Sequence, residues 1–288
     1  MATVKLSSSQ KQAFCQLIDD PSPKVREAMV KHLQDCGTEA IIWLRELANS
    51  SDTSMNHHAE ALLSDLAFSN PVSEFFGFIC SLKYELETGI FLMSRTAYPS
   101  LKINDWVTGL NRIAQRCREL ITEPMTSREK CRILNRVIFF ENEFTIDYGI
   151  SANPKTLFCP LFLKSKKASP FTLSILYALI AERCNLRVEP VDIPNHSLLG
   201  CFSGEIPFFI NPSTSGTFIS AEEAAEMIRS QNKTPDLGNL TPMPIREILR
   251  TLCQRISEIF SQTGDTTKAT LFIQFAEEFD ATYKRNVD

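Results

Sequence analysis

The sequence contains no apolar run long enough to cross a bilayer. Its most apolar stretch, residues 171–181, is far shorter than the ~20 residues that a transmembrane helix needs. The first residues also lack a positively charged segment followed by an apolar run, which is the pattern of a secretory signal. We therefore expect a cytoplasmic protein with no membrane partner.

The chain has no excess of positive charge. Its 30 lysines and arginines are outnumbered by 34 aspartates and glutamates, and its formal net charge is −4. A nucleic-acid-binding surface is built on a concentrated positive field, which this balance does not provide. Lys164, Lys166 and Lys167 form a small basic patch, which we interpret as a solvated loop. We expect no nucleic-acid partner.

Patterns typical of metal sites and disulfide frameworks are missing. The nine cysteines are odd in number and widely spaced, and no C-x-x-C pair occurs. A chain of 288 residues can bury a sizeable core without disulfides, so we interpret the cysteines as reduced core thiols. His57 and His58 are adjacent, which directs them to different faces of a helix. We expect no bound metal and no cofactor.

The pattern of residues 1–70 is that of short paired helices. Asp20 and Pro21 precede Val25, Met29 and Leu33, which recur at helical spacing. This start is similar to that of a HEAT repeat, and a second, degraded unit follows about 33 residues later. Two plain helical hairpins would give the same apolar faces, so the sequence leaves both interpretations open. We predict a HEAT-like segment over 1–70.

Residues 71–232 are predicted to form a middle domain. Helical periodicity covers 75–82, 86–93, 106–121 and 127–140, and 145–167 is predicted to be a structured loop. Ser169 and Pro170 are strong start signals for a helix that is apolar nearly all round and hence buried. Strands are predicted over 187–193, 197–203 and 206–210, and a further helix over 221–231.

Residues 233–288 are predicted to end in two helices, 245–262 and 266–285. Ile256, Phe260, Ala269, Ile273 and Ala276 lie where a tetratricopeptide-type hairpin places its packing residues. One such hairpin cannot form a solenoid alone, so its apolar face should dock on the middle domain.

A buried helix followed by strands, with a histidine on one strand and Asp or Asn on the next, is a layout known from cysteine acyl-transfer sites. There a cysteine at the helix amino terminus attacks, and the helix dipole and the histidine lower its pKa. The Asp or Asn orients the imidazole ring.

The chain resembles the bacterial SirB-type transglutaminase-like family over about residues 82–220. The resemblance rests on five stretches: 82–93, 98–101, 134–140, 170–180 and 193–198, followed by Phe-Ile-Asn-Pro-Ser-Thr-Ser-Gly at 209–216. It implies an α+β, predominantly helical fold. The transglutaminase-like (papain-like) core would carry a small antiparallel sheet and be flanked by helical-repeat segments.

The resemblance implies positions for the catalytic residues. His196 falls at the family's histidine, and Asn211 falls where the family usually has aspartate. Asparagine can accept a hydrogen bond from an imidazole, but it cannot offset an imidazolium charge. The nucleophile position falls on Pro170, which offers no attacking atom and no backbone N–H for an oxyanion.

Other residues could replace the missing nucleophile. Thr172 and Ser174 follow Pro170 closely, but in a buried helix we expect their hydroxyls to bond to neighbouring carbonyls. Cys159 and Cys201 are the nearest thiols in sequence, and we interpret both as structural. The imidazole of His196 also has a structural alternative, a buried ring that ties the Asn195 turn to the Asn211 strand.

Two further residues are candidates for binding. Glu87 is a charged residue in an otherwise apolar family helix, and it lies either on the helix surface or towards His196. Asn195 directly precedes the histidine.

From these residues we expect a non-catalytic protein that acts as a protein- or peptide-binding or regulatory module. The alternative is an amide hydrolase or acyl transferase in which a displaced nucleophile works with His196 and Asn211. The sequence identifies neither the partner nor the oligomeric state.

Overall fold

A computed structural model describes residues 6–20, 22–50, 53–67, 70–147, 153–193, 196–203, 206–229 and 240–287. The described part is mostly helical, with one two-stranded and one four-stranded sheet. The helices are α1 (Ser8–Leu17), α2 (Pro23–Cys36), α3 (Thr38–Ala48), α4 (Thr53–Ala67), α5 (Pro71–Cys80), α6 (Leu86–Ala97), α7 (Ile103–Leu120), α8 (Ser127–Asn135), α9 (Cys159–Ser165), α10 (Pro170–Arg183), α11 (Ala221–Arg229), α12 (Ile245–Gln262) and α13 (Thr266–Val287). The strands are β1 (Thr145–Ile146), β2 (Lys167–Ala168), β3 (Glu189–Ile193), β4 (His196–Cys201), β5 (Phe208–Asn211) and β6 (Thr217–Ile219). None of the described helices combines the length and apolarity that a membrane span requires.

The four amino-terminal helices bury an apolar cluster of their own. A capping box between Ser7 and Gln10 starts α1, and Gly37 separates α2 from α3 with a φ of 60°. Leu33 and Leu44 are buried at the centre of this cluster. The predicted helical hairpins are therefore present, and the assignment of 1–70 as a separate HEAT-like domain stays a prediction.

The central helix α10 begins as predicted. The Ser169 hydroxyl accepts a hydrogen bond from the backbone N–H of Thr172 at 3.2 Å, and Pro170 occupies the first helical position. Every residue from Phe171 to Ala181 lies in the protein interior, apart from the small residual exposure of Ala178. The helix contacts α7, α8, β3 and β4, so the main core is built around it.

The antiparallel sheet has the order β3-β4-β5-β6 and separates two apolar layers. Leu199 and Ile210 are paired across β4 and β5, and both belong to the main core around α10. Leu198 and Phe209 alternate with them along the strands and join a second cluster that includes α11. The three predicted strands are thus present, and β6 is an additional strand that is only three residues long.

The connection between α8 and α10 differs from the prediction of a loop with short turns. It contains the seven-residue helix α9 and a parallel pairing of β1 with β2. Cys159, Pro160 and Phe162 of α9 are buried, and Pro160 stands in its first turn. The apolar run at 157–163 is too short to show a helical period, and only packing against the main core identifies it as a helix.

The carboxy-terminal hairpin docks on the rest of the chain through aromatic rings, as predicted for its apolar face. The Phe275 ring of α13 lies edge-on to the rings of Phe75 and Phe76 in α5, with centroids 4.8 and 4.7 Å apart. Ile256, Phe260 and Ala276 are buried as expected. Ile273 was expected among the packing residues and is instead 38% exposed, because it lies about 100° around α13 from Phe272, away from the core-facing side.

Candidate functional site

The amino terminus of α10 carries no free nucleophile among the side chains that the structure describes. Pro170 is half-buried at this end. The Thr172 hydroxyl is fully buried and donates to the carbonyl oxygen of Thr156 at 2.7 Å. It also lies 2.9 Å from the Ser169 hydroxyl. The Thr172 hydroxyl therefore stabilises the turn that precedes the helix through these hydrogen bonds.

The neighbouring hydroxyl and thiol are also engaged in structural contacts. The Ser174 hydroxyl donates to the Phe171 carbonyl oxygen at 2.7 Å within the buried helix. The Cys159 thiol lies 3.8 Å from the Thr172 carbonyl oxygen. Complete burial raises the pKa of the Cys159 thiol well above its usual value. A thiol of this kind is not available as a thiolate at neutral pH.

Asn211 is the last residue of β5. Its side-chain oxygen accepts the backbone N–H of Ser213 at 2.9 Å and so starts the 3-10 turn Pro212–Thr214. That turn contacts α10. The register that pairs Leu199 with Ile210 places Asn211 opposite Leu198, two residues along β4 from His196. The oxygen that would orient an imidazole thus already accepts one hydrogen bond within the turn, and its second lone pair could still accept another.

His196 is the first residue of β4, and its backbone pairs with Ile193. The backbone places position 196 at the end of the sheet that faces the Asn211 turn. The side chain of His196, and Asn195 entirely, lie outside the described residues. Their catalytic and binding roles remain predictions.

Cys201 lies at the opposite end of β4. Five residues of extended strand put about 16 Å between positions 196 and 201. The thiol is buried, and a hydrogen bond with the Cys131 thiol lowers the pKa of Cys201 and raises that of Cys131. The backbone N–H of Ser203 and the Ser127 hydroxyl also lower the Cys201 pKa. This thiol pair does not belong to the candidate site at the α10 start.

Glu87 occupies the other end of the central helix. Its carboxylate pairs with the Arg183 guanidinium at 2.5 Å, and both side chains are largely buried. Arg183 also donates to the Asn111 side chain at 3.0 Å and to the Leu179 carbonyl at 3.1 Å. The length of α10 puts about 20 Å between Pro170 and Arg183. Glu87 therefore anchors α6 to the carboxy-terminal end of α10, where a cation also complements the helix dipole.

Replacing Glu87 with glutamine is expected to lower the free energy of unfolding by about 1–2 kcal/mol, because a largely buried guanidinium loses its counter-ion. Urea denaturation of the parent and the variant measures this difference in the free energy of unfolding. Glu74→Gln is the matched control, since it breaks the more exposed pair with Arg95 and should cost under ~1 kcal/mol. Equal losses in both variants would contradict the structural role given to Glu87.

A buried polar network ties α8, α10 and the turn before β6. The Tyr177 hydroxyl lies 2.9 Å from the Asn135 side-chain oxygen and 3.2 Å from the Cys131 carbonyl. The Asn135 amide donates to the Gly216 carbonyl at 2.6 Å. Sequence reasoning missed this network. A tyrosine in a helix as apolar as α10 was the available signal, since a buried hydroxyl requires a partner.

Tyr177→Phe should cost about 1–2 kcal/mol of stability, because the Asn135 oxygen loses its buried donor while the ring packing is retained. Thermal and urea unfolding followed by circular dichroism measure the change. Tyr283→Phe, at a position that is 47% exposed, should leave stability nearly unchanged. A Tyr177→Phe protein as stable as the parent would show that the network contributes little.

The carboxy-terminal end of α10 also borders an open groove of about 500 Å³. The start of α6, the segment from α10 to β3, and α12 line it. Its apolar side chains are Leu86, Ala178, Leu186, Val188, Met243, Ile245 and Ile248. Its charged side chains are Glu85, Glu182, Arg187 and Glu189. A groove of this size with an apolar floor and a charged rim is suited to a peptide side chain.

No group of His, Cys, Asp and Glu side chains within the described ranges is arranged to hold a metal ion. The described part of the chain is a mostly helical fold with two small sheets, in which Pro170 is the first residue of the buried central helix.

The family is established by comparison with known proteins. The family model described as transglutaminase-like superfamily matches residues 104–254, a little over half of the chain. This chain therefore belongs to the transglutaminase-like superfamily. Two curated relatives, each named UPF0162 protein, come from the 9a5c and Temecula1 / ATCC 700964 strains of Xylella fastidiosa. Both are 21% identical over 184 residues, which cover 62% of this chain and 66% of the relative.

The chain thus spans just under two thirds of the length of these relatives. No solved structure matches it.

Proposed function

We propose that this chain is a non-catalytic, SirB-type member of the superfamily, with HEAT-like and tetratricopeptide-like flanks, that binds a protein or peptide. The observation that carries the proposal is the start of α10. Pro170 is the first residue of α10, where the family resemblance puts the nucleophile, and the Thr172 hydroxyl donates to the Thr156 carbonyl. A helix start built in this way stabilises a turn and presents no activated thiol or hydroxyl.

The groove at the other end of α10 supplies a binding surface for this function. Arg187 pairs with Glu189 at 3.0 Å, so these two charges offset each other. Glu85 accepts the backbone N–H groups of the first turn of α6. Glu182 is exposed and has no ion-pair partner among the described residues. The groove therefore favours a peptide segment with a large apolar side chain next to Lys or Arg.

Phage display of random peptides on the immobilised chain tests the binding proposal. We expect enrichment of peptides in which a large apolar residue neighbours Lys or Arg. Glu182→Lys should weaken binding of these peptides about tenfold, because attraction becomes repulsion. Glu60→Lys, an exposed substitution on α4, is the matched control and should leave binding unchanged. Peptides that bind both variants equally would count against the groove.

Catalysis is tested separately. The purified chain is incubated with a fluorescent primary amine and a glutamine-containing protein, and amide hydrolysis is followed in parallel. We expect no product above that of a Pro170→Ala, His196→Ala double variant. Product formation by the parent chain that is lost on His196→Ala would overturn the non-catalytic proposal and support a displaced nucleophile.

A further inference from the structure

A second cavity, of about 640 Å³, lies at the amino terminus of α7. Residues just before α7, its first turns and α9 form the wall. Leu101, Trp106 and Leu161 supply apolar surface. The cavity is as large as typical small-molecule sites, and it shares no lining residue with the groove beside α12.

The charges on this cavity are predominantly positive. Lys102, Arg112 and Lys164 line it, and none of them is ion-paired with any carboxylate in the described part of the chain. Asp105 is the one carboxylate among the described lining residues. Most arginines elsewhere in the described chain have an acidic partner. Three unpaired cations around one concave surface favour a bound anion.

The first turn of α7 adds backbone donors to the same place. Lys102 is the N-cap residue, and its side chain makes no capping hydrogen bond. The N–H groups at the start of this 18-residue helix therefore lack the acceptor that Ser, Thr, Asp or Asn would provide. N–H groups without an acceptor among the described residues, together with the positive end of the helix dipole, suit phosphate oxygens, although Asp105 in the same turn opposes them with its negative charge.

Trp106 provides an independent sign of a missing acceptor. This residue forms part of the cavity wall and is only 2% exposed. Its indole N–H is buried and has no hydrogen-bond partner within the described part of the chain. Buried indole N–H groups usually have one, and leaving such a donor unsatisfied is costly. An acceptor atom on a bound molecule would satisfy it after a small movement of the cavity wall that uncovers the N–H, whose exposed area is below 1 Å².

The electrostatic effect of Arg112 extends to its neighbour Lys166. The ammonium group of Lys166 lies over the Phe144 ring at 4.2 Å from its centroid. Partial burial lowers the pKa of Lys166, and the positive charge of Arg112 lowers it further. Lys164 and Lys166 are thus part of a positive region that includes a cavity.

From the cavity, its unpaired cations, the uncapped helix start and the unsatisfied indole, we propose a binding site for a small phosphate monoester with an aromatic or apolar body. The phosphate would lie at the α7 amino terminus between Lys102, Arg112 and Lys164. The organic part would lie against Trp106 and the neighbouring leucines. The site is independent of the proposed peptide groove.

Isothermal titration calorimetry of the full chain with phenyl phosphate tests the site. We expect saturable binding with one molecule per chain, weakened at least fivefold by Arg112→Ala and by Lys164→Ala. Trp106→Phe should also weaken binding, because the ring is largely kept and the N–H donor is lost. Lys167→Ala, an exposed lysine outside the cavity, is the matched control and should bind normally. Circular dichroism checks that each variant is folded.

Three results would overturn the proposal. The first is no saturable heat with phenyl phosphate or adenosine 5′-monophosphate up to about 5 mM, a weak affinity for a site of this kind. The second is unchanged affinity in folded Arg112→Ala and Lys164→Ala proteins. The third is binding of phenol or 3-phenylpropionate as tight as that of phenyl phosphate. This result would show that the phosphate group does not contribute to recognition.

Discussion

Pro170→Cys is expected to give this chain a thiol that reacts with iodoacetamide at neutral pH about ten times faster than any of its own cysteines. The new side chain would stand in the first turn of the 14-residue helix α10, at a half-buried position open to reagent. Thiols at helix amino termini have pKa values of roughly 3.5–7.5, compared with ~8.5 for a free cysteine. The thiolate fraction near pH 7 therefore rises.

The native cysteines provide an internal reference for this experiment. Seven are buried, Cys15 is half-buried and Cys80 is exposed. Burial of the sulfur raises the pKa of Cys80, and the nearby Glu278 carboxylate raises it further. Cys80 should thus react slowly at neutral pH. Its reaction should become faster as the pH rises towards the raised pKa of its thiol. Peptide mass spectrometry separates the two sites.

The same variant tests whether the acyl-transfer scaffold is retained. If His196 supports the helix start, the Pro170→Cys thiol should lose part of its reactivity when His196 is also changed to alanine. Pro170→Ala shows whether the loss of proline alone alters folding. A Pro170→Cys thiol no faster than Cys80 in a folded protein would mean that the α10 start does not activate a nucleophile.

Gly216→Ala is expected to destabilise the fold by about 3 kcal/mol. Gly216 has a φ of 82°, which an L-residue adopts only at a cost of roughly 1–2 kcal/mol. An added Cβ would lie 2.6 Å from the Asn135 Nδ2 atom and closer still to its Cγ and Oδ1 atoms. Asn135 would have to move, which would disturb its bonds to Tyr177 and to the Gly216 carbonyl.

Gly264 offers a matched control for this experiment. It has the same φ of 82°, but a Cβ added there would meet no atom within 4 Å. Gly264→Ala should therefore cost about 1–2 kcal/mol, the conformational part alone. Urea denaturation of both variants separates steric from conformational effects. If Gly216→Ala lowers the free energy of unfolding no more than Gly264→Ala does, the steric contact with Asn135 does not contribute as proposed.

Local signals in the sequence predict much of this fold. Ser169 and Pro170 mark the start of α10 because capping and proline geometry depend on adjacent residues only. The apolar residues on all sides of that helix predict its burial. By contrast, α9 and β6 were not predicted, because each is too short to show a periodic pattern of apolar residues.

The candidate site, like the fold, was predicted only in part from the sequence. A resemblance over ordered stretches aligned Pro170, His196 and Asn211, and the superfamily match at 104–254 covers all three positions. What lies around them could not be predicted. The acceptor of the Thr172 hydroxyl is the Thr156 carbonyl, on a turn whose position depends on the packing of α9 and α12.

The sequence by itself determined where the central helix begins and that it is buried, and the resemblance it carries predicts that Pro170 stands where the superfamily's nucleophile would be. Only the tertiary structure decided which buried polar groups meet. Glu87 and Arg183 are 96 positions apart, and Asn135 and Gly216 are 81 apart. Such contacts arise when helices and turns pack around a common core, and no periodicity of neighbouring residues encodes them.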